Sequence, residues 1–168
     1  MSTVRPCREE ELTTVLAIIN SAAEAYRGVI PADRWHDPYM PLAELRRDIA
    51  AGVAFWGLEA DGELIGVMGI QPVRDVDLIR HAYVLPDRQR SGVGAALIGH
   101  LCRQSTRRML VGTWAAAGWA IDFYRRNGFE LVSPERKAEL LRTYWTISDR
   151  QAEVSVVLAK SPTNESAI

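Results

Sequence analysis

Gly92 and Gly94 stand two apart at the point where an apolar strand pattern, "LIRHAYVLP", gives way through "RQRSGVGAAL" to helical periodicity. Glycine at a helix start lowers helix stability. Something at that point therefore needs a bare backbone. A helix N-terminus carries unpaired N–H groups and a partial positive charge. Where glycines open it, no Cβ keeps an anion from the amides of Val93, Gly94 and Ala95, and Arg88 and Arg90 add charge beside them. The other reading is a glycine turn that packs helix against sheet.

Two phosphate motifs are excluded. No GxxxxGK[ST] occurs, and a GxGxxG fingerprint would need glycine where Leu97 stands. The strand ahead also belongs to a hairpin meander and not to a doubly wound sheet. "VAFWGLEA" and "ELIGVMGIQPV" flank Asp61-Gly62, a two-residue hairpin signal. "VDLIRHAYVLP" follows the turn at Arg74-Asp75.

Ahead of the meander, "TVRPC" reads as a strand. Arg8 to about Arg27 reads as a helix, and Pro41 opens a second with Leu42, Leu45 and Ile49 on one face. Behind it, helical spacing runs from Gly92 to Arg108. A buried-type strand "MLVGTW" and a helix "AAAGWAIDFYRRN" follow, with Gly128 as the stop. Then come the strand "FELV", a helix opened by Ser133-Pro134 and a last strand "AEVSVVLA". This order, without repeats or linkers, predicts one α+β domain over residues 1–160. A polar tail over 161–168 is expected to be disordered.

The 168 residues, 48% of them hydrophobic, suffice for one core. A net charge of −1 gives no basic excess for nucleic acid. No apolar run approaches the ~18 residues of a membrane span, and the N-terminus lacks a signal-peptide h-region. Cys7 and Cys102 read as reduced core cysteines of a cytoplasmic protein. No His/Cys cluster suggests a metal.

Gln89-Arg90-Ser91-Gly92-Val93-Gly94 resembles the Q/R-x-x-G-x-G/A signature of the GNAT N-acetyltransferases, and "AIDFYRRNGFEL" resembles that family's A-x-x-F-Y-x-x-x-G-F segment. Spacing and element order match over nearly the whole chain. The resemblance implies the GNAT fold, a mixed, mostly antiparallel sheet of six to seven strands flanked by helices, with a splayed strand pair holding acyl-CoA. It implies acetyl-CoA as donor. The pyrophosphate would sit on Gln89, Arg90, Ser91, Gly92, Val93, Gly94 and Ala95, and the pantetheine arm along Tyr83, Val84 and Leu85. Tyr124 would protonate the leaving thiolate, the alternative being a tyrosine packed with Phe123 in the core.

Acetyl transfer also needs a neutral amine, and deprotonating a lysine-like one at pH 7 costs roughly 4–5 kcal/mol. The glutamate that many relatives use as base falls at Leu78, and their asparagine near the "AIDFY" helix falls at Ala117, with Trp119 nearby to compensate by packing. His81 is then the candidate base, although strand alternation relative to Leu78 directs it to the other sheet face. Asp75, Asp77 and Glu59 are fallbacks, and water without a dedicated base is a further alternative. Acceptor contacts are expected from "RGVIPADRWHDPYM", where Trp35 and Tyr39 either line a pocket or pin the loop. The expected activity is transfer of acetyl to an amine of a small molecule or protein by direct attack in a ternary complex. The rivals are a non-catalytic acyl-CoA sensor of the same fold and a nucleotide binder. A homodimer is an open alternative, with the last strand offering a pairing edge.

Overall fold

The computed structural model describes residues 1–162. The predicted polar tail lies largely outside the described residues. The sheet has seven strands in the order β1-β2-β3-β4-β5-β7-β6. Strands β1 (Ser2–Pro6), β2 (Ala54–Ala60), β3 (Glu63–Val73) and β4 (Val76–Val84) form an antiparallel run. Asp61 (φ +53°) and Gly62 (φ +84°) supply the two left-handed residues that the β2–β3 hairpin demands.

After β4 the chain crosses over through α3 (Val93–Gln104) and returns as β5 (Arg108–Trp114), the one strand parallel to its neighbour. Helix α4 (Gly118–Arg126) ends at Gly128 (φ +90°) and leads to the two-residue β6 (Glu130–Leu131). Helix α5 (Pro134–Tyr144) starts as read from the sequence, the Ser133 hydroxyl accepting the Arg136 N–H. A short α6 (Asp149–Glu153) carries no apolar period and was not foreseen. Strand β7 (Ser155–Lys160) then pairs between β5 and β6. It is therefore not the free edge expected from the sequence, because β6 covers it at Leu158 and Ala159.

The first predicted helix is α1 (Leu12–Ala23) alone, with 3-10 turns at Glu9–Glu11 and Glu24–Tyr26 on either side. Helix α2 (Leu42–Ala50) buries Leu45 fully but leaves Ile49 42% exposed, so its apolar face is narrower than predicted.

Two layers of core clamp the sheet. Leu97, Ile98 and Leu101 of α3 pack with Tyr124 of α4 and Phe129 onto Ile65, Met68, Ile79 and Val111. On the other face α1 and α2 cover Val67 and Phe55, and Leu140 and Leu141 of α5 cover Val76, Leu78 and Leu110.

Candidate active site

Strands β4 and β5 pair only from Val76↔Arg108 to Ile79↔Val111. Past that point they diverge, and a cleft of about 1090 Å³ opens between them. Residues 80–84 and Gly112–Trp114 form its walls, with α4, the loop before α3 and the loop between α1 and α2 around it. The backbone of β4 beyond Ile79 has no β5 partner to bond.

A register shift creates the floor of the cleft. Gly69 faces Arg80 and Val67 faces Tyr83, so Met68 alone opposes both His81 and Ala82. This is a β-bulge. His81 occupies it with φ +53°, a left-handed conformation that costs a non-glycine residue about 1–2 kcal/mol. Plain alternation sends His81 to the α3 face, opposite Leu78. The bulge instead delivers it to the α2 face, where its Nε2 stands 2.7 Å from Oδ2 of Asp48. The expected orientation is thus corrected, and its cause is the extra residue. The imidazole stacks on Phe55 and lines the cleft.

At one end of the cleft lies the start of α3. Gly92 is the N-cap at φ +83° with no side-chain capping bond, and the first turn holds no acid. The first helical bond runs from Ala96 N–H to Gly92 O, leaving the amides of Val93, Gly94 and Ala95 ahead of it. Helices α5 and α6, by contrast, start with a serine cap and an acid. Gln89 donates to Val84 O at 3.2 Å, and the Ser91 hydroxyl donates to Arg88 O, so both brace the loop. Arg88 and Arg90 of this loop line the cleft, as does Arg126 of α4.

Tyr124 is buried and lines the cleft. Burial, and to a smaller degree Tyr26, push its phenol above the ordinary range. Tyr26, Tyr39 and Tyr83 are likewise pushed up, chiefly by burial. All four are uncharged phenols at neutral pH. The other end of the cleft is aromatic: Tyr26 lies 5.5 Å from Tyr39 and stacks on Trp119 at 5.9 Å, centroid to centroid. Trp114 Nε1–H donates to Tyr39 Oη at 2.9 Å.

The loop separates its two aromatic candidates. Tyr39 lines the cleft, whereas Trp35 packs on Tyr39 and lies under the Arg27 guanidinium at 4.6 Å. The alternative carboxylates are engaged away from the cleft. Asp75 accepts from Tyr144 at 2.7 Å, Asp77 from Ser105 at 2.6 Å, and Glu59 pairs with Arg5 at 3.0 Å. Ala117 is fully buried. Glu44 and Asp48 of α2, Arg126 and Trp114 were not singled out from the sequence. Asp48 and Glu44 sit one turn apart on a short helix whose exposed face is also charged, so sequence offered no signal to separate them.

Cys7 and Cys102 are free thiols, and burial raises both above the ordinary range. Among the described residues no cluster of three or more His, Cys, Asp or Glu is placed to hold a metal. No helix among them is long and apolar enough to cross a membrane.

Residues 51–131 match the family profile described as an acetyltransferase (GNAT) domain. Solved structures align over nearly the full chain. An acetyltransferase of the GNAT family from Staphylococcus aureus Mu50 is 14% identical with a TM-score of 0.72, covering 97% of this chain and 100% of its own. The PaiA N-acetyltransferase of Thermoplasma acidophilum, in complex with coenzyme A, is 16% identical at TM-score 0.68, covering 96% and 99%. N-acetylglutamate synthase of Neisseria gonorrhoeae, complexed with coenzyme A and N-acetyl-glutamate, is 19% identical at 0.64, over 96% of this chain and 35% of that one.

Proposed function

The chain belongs with the GNAT acetyltransferases, by its domain match over residues 51–131 and by its fold, and from that premise we propose that it moves an acetyl group from acetyl-CoA to a primary amine. The observation that carries this reading is the uncapped, acid-free start of α3, opening onto the gap between β4 and β5. The diphosphate of acetyl-CoA would take the amides of Val93 to Ala95, with Arg88, Arg90 and Arg126 beside it. The pantetheine arm would run along the backbone at Tyr83 to Leu85, on the side that β5 leaves unpaired and where Val84 O accepts from Gln89.

His81 takes the proton of the attacking ammonium, directly or through one water. The neutral amine adds to the thioester carbonyl, and the tetrahedral intermediate collapses with cleavage of the C–S bond. Tyr124, kept as a neutral phenol by burial, gives its proton to the departing thiolate and is restored by the second proton that the nitrogen sheds as the neutral amide forms, directly or through water. Neither Cys7 nor Cys102 lines the cleft, which favours direct attack over a covalent acyl-enzyme. The acceptor would lie among Tyr26, Tyr39, Trp114 and Trp119, a compartment suited to an amine on an apolar or aromatic body.

The test is thiol release from acetyl-CoA with a panel of aliphatic, arylalkyl, amino-acid and peptide amines, each product checked for the added mass of one acetyl group. Turnover of one panel member together with thermal stabilisation by CoA supports the reading. Stabilisation by ATP and not by CoA overturns it. Tight CoA binding without turnover on any amine assigns the fold a sensing role instead.

A further inference from the structure

We infer that Asp48 is a positioning residue for His81, fixing which ring nitrogen faces the cleft. This rests on the reading of His81 as base. The Asp48 carboxylate contacts Nε2 of His81 at 2.7 Å. A carboxylate only accepts, so the proton of the neutral ring sits on Nε2 and the lone pair on Nδ1. Nδ1 is neither hydrogen-bonded nor sealed from solvent among the described residues, while the ring lines the cleft. The basic nitrogen is thus the one that Asp48 leaves free to take a proton.

The neighbours favour this pairing over a plain staple between α2 and β4. Arg80 approaches the same Oδ2 only to 3.7 Å. Its guanidinium is taken by Gln71 at 2.8 Å, which in turn donates to Ala51 O at 3.0 Å. That chain already ties the end of α2 to the sheet without His81. Burial draws the Asp48 carboxyl upward, but the bond from His81 and the charges of His81, Arg80 and Arg47 outweigh it, and the group lies below its usual range. Asp48 therefore stays ionised through neutral pH. Phe55 stacks on the ring, and Glu44, one turn earlier on α2, and the neutral phenol of Tyr26 line the same cleft as His81.

As the imidazole accepts the amine proton at Nδ1 it becomes a cation, and the Asp48 carboxylate stands against it. No atom is transferred to Asp48. Its contribution is orientation and charge, the pattern of a second group behind a base. The left-handed backbone at His81 puts local strain at the same position.

The experiment uses the full chain, uniformly labelled with nitrogen-15, as wild type and as Asp48→Asn, Asp48→Ala and His81→Gln. The sequence holds only three histidines, so the His81 ring signals are those lost in His81→Gln. Long-range ring spectra near pH 9, where imidazole is neutral, should show His81 wholly protonated at Nε2, and mixed tautomers in Asp48→Ala. Asp48→Asn keeps the shape of the side chain and guards against loss of fold. It should lose about tenfold or more in kcat on whichever panel amine is turned over, with the KM for acetyl-CoA within about twofold. An Nδ1–H tautomer in the wild type, or an unchanged tautomer in Asp48→Ala, overturns the assignment. Full activity in His81→Gln removes the base and this role with it. Loss of kcat in His81→Gln but not in the Asp48 variants leaves the base standing and removes the positioning residue alone.

Discussion

A Cβ built on Gly94 would stand 2.9 Å from Cε1 of Phe123. Nothing lies within 4 Å of the corresponding point on Gly92, which instead needs glycine for its φ of +83°. The two glycines of the opening motif thus serve different ends, one backbone conformation and the other close packing of α3 on α4. Both leave the amides between them uncovered.

Gly92→Ala is expected to cost about 1 kcal/mol of stability through the left-handed backbone. Gly94→Ala gains about 0.5–1 kcal/mol of helix propensity and spends it on displacing the Phe123 ring, so its melting temperature should hardly move. That ring lies 5.1 Å from Tyr124, centroid to centroid. Gly94→Ala should therefore weaken CoA binding and lower kcat while the fold holds. Thermal melts beside calorimetric CoA titrations check both variants. A fall in melting temperature for Gly94→Ala with unchanged CoA affinity would show the reverse assignment.

Tyr124→Phe should lower kcat at least tenfold or so and leave CoA affinity nearly intact. Burial, and to a smaller degree Tyr26, raises this phenol, and among the described residues no hydrogen bond holds its hydroxyl. Deleting the hydroxyl therefore strands no partner, and the melting temperature should stay within about one degree. Steady-state kinetics with a calorimetric CoA titration decide it, and an unchanged kcat removes Tyr124 from the chemistry.

Tyr39→Phe should behave in the opposite way. Here the hydroxyl is the acceptor for the indole N–H of Trp114, a residue only 9% exposed. Removing it leaves that donor without its partner, at a cost of about 1–3 kcal/mol. For a chain of this size that is a fall of a few degrees, roughly 2–4 °C per kcal/mol. Urea unfolding of the variant beside Tyr124→Phe checks the contrast. Equal stability of the two would mean that the Trp114–Tyr39 bond holds nothing together.

Much of this architecture was legible because local chemistry and global fold agree. Asp61-Gly62 admits a tight hairpin, Gly128 stops α4 with a positive φ, and Ser133-Pro134 starts α5 with a bonded cap. Each is a backbone requirement that only certain residues meet. The site was less legible. The bulge at His81 lies in "LIRHAYV", where no glycine or proline marks an irregularity, and one inserted residue reverses the facing of the side chain. Asp48 reaches His81 across 33 positions of sequence. Nothing in "ELRRDIA" distinguishes that carboxylate from a solvated helix charge. Trp35 and Tyr39 looked alike in the sequence. Only the path of the loop puts one behind the other.

Acid should weaken the N-terminal corner through Glu11 in particular. Its carboxylate takes both terminal nitrogens of Arg5 at 2.8 Å and the Arg8 N–H at 2.7 Å, and Arg5 also holds Glu59 on β2 at 3.0 Å. The hydrogen bond from Arg5, assisted by that from Arg8, lowers the Glu11 carboxyl from 4.5 to about 2. A carboxyl depressed in the folded state binds its proton more readily in the unfolded chain. Its stabilisation is thus complete above pH 4.5 and drains away as pH falls towards 2. Other lowered carboxylates, Asp33, Asp48 and Asp75 among them, add to the acid loss of the wild type, so the difference from Glu11→Gln is the quantity that isolates this pair. Melting curves of the two proteins should be well separated near neutrality and converge as pH falls through that window. A separation that stays constant down to pH 2 would mean that the carboxylate charge contributes nothing to the fold.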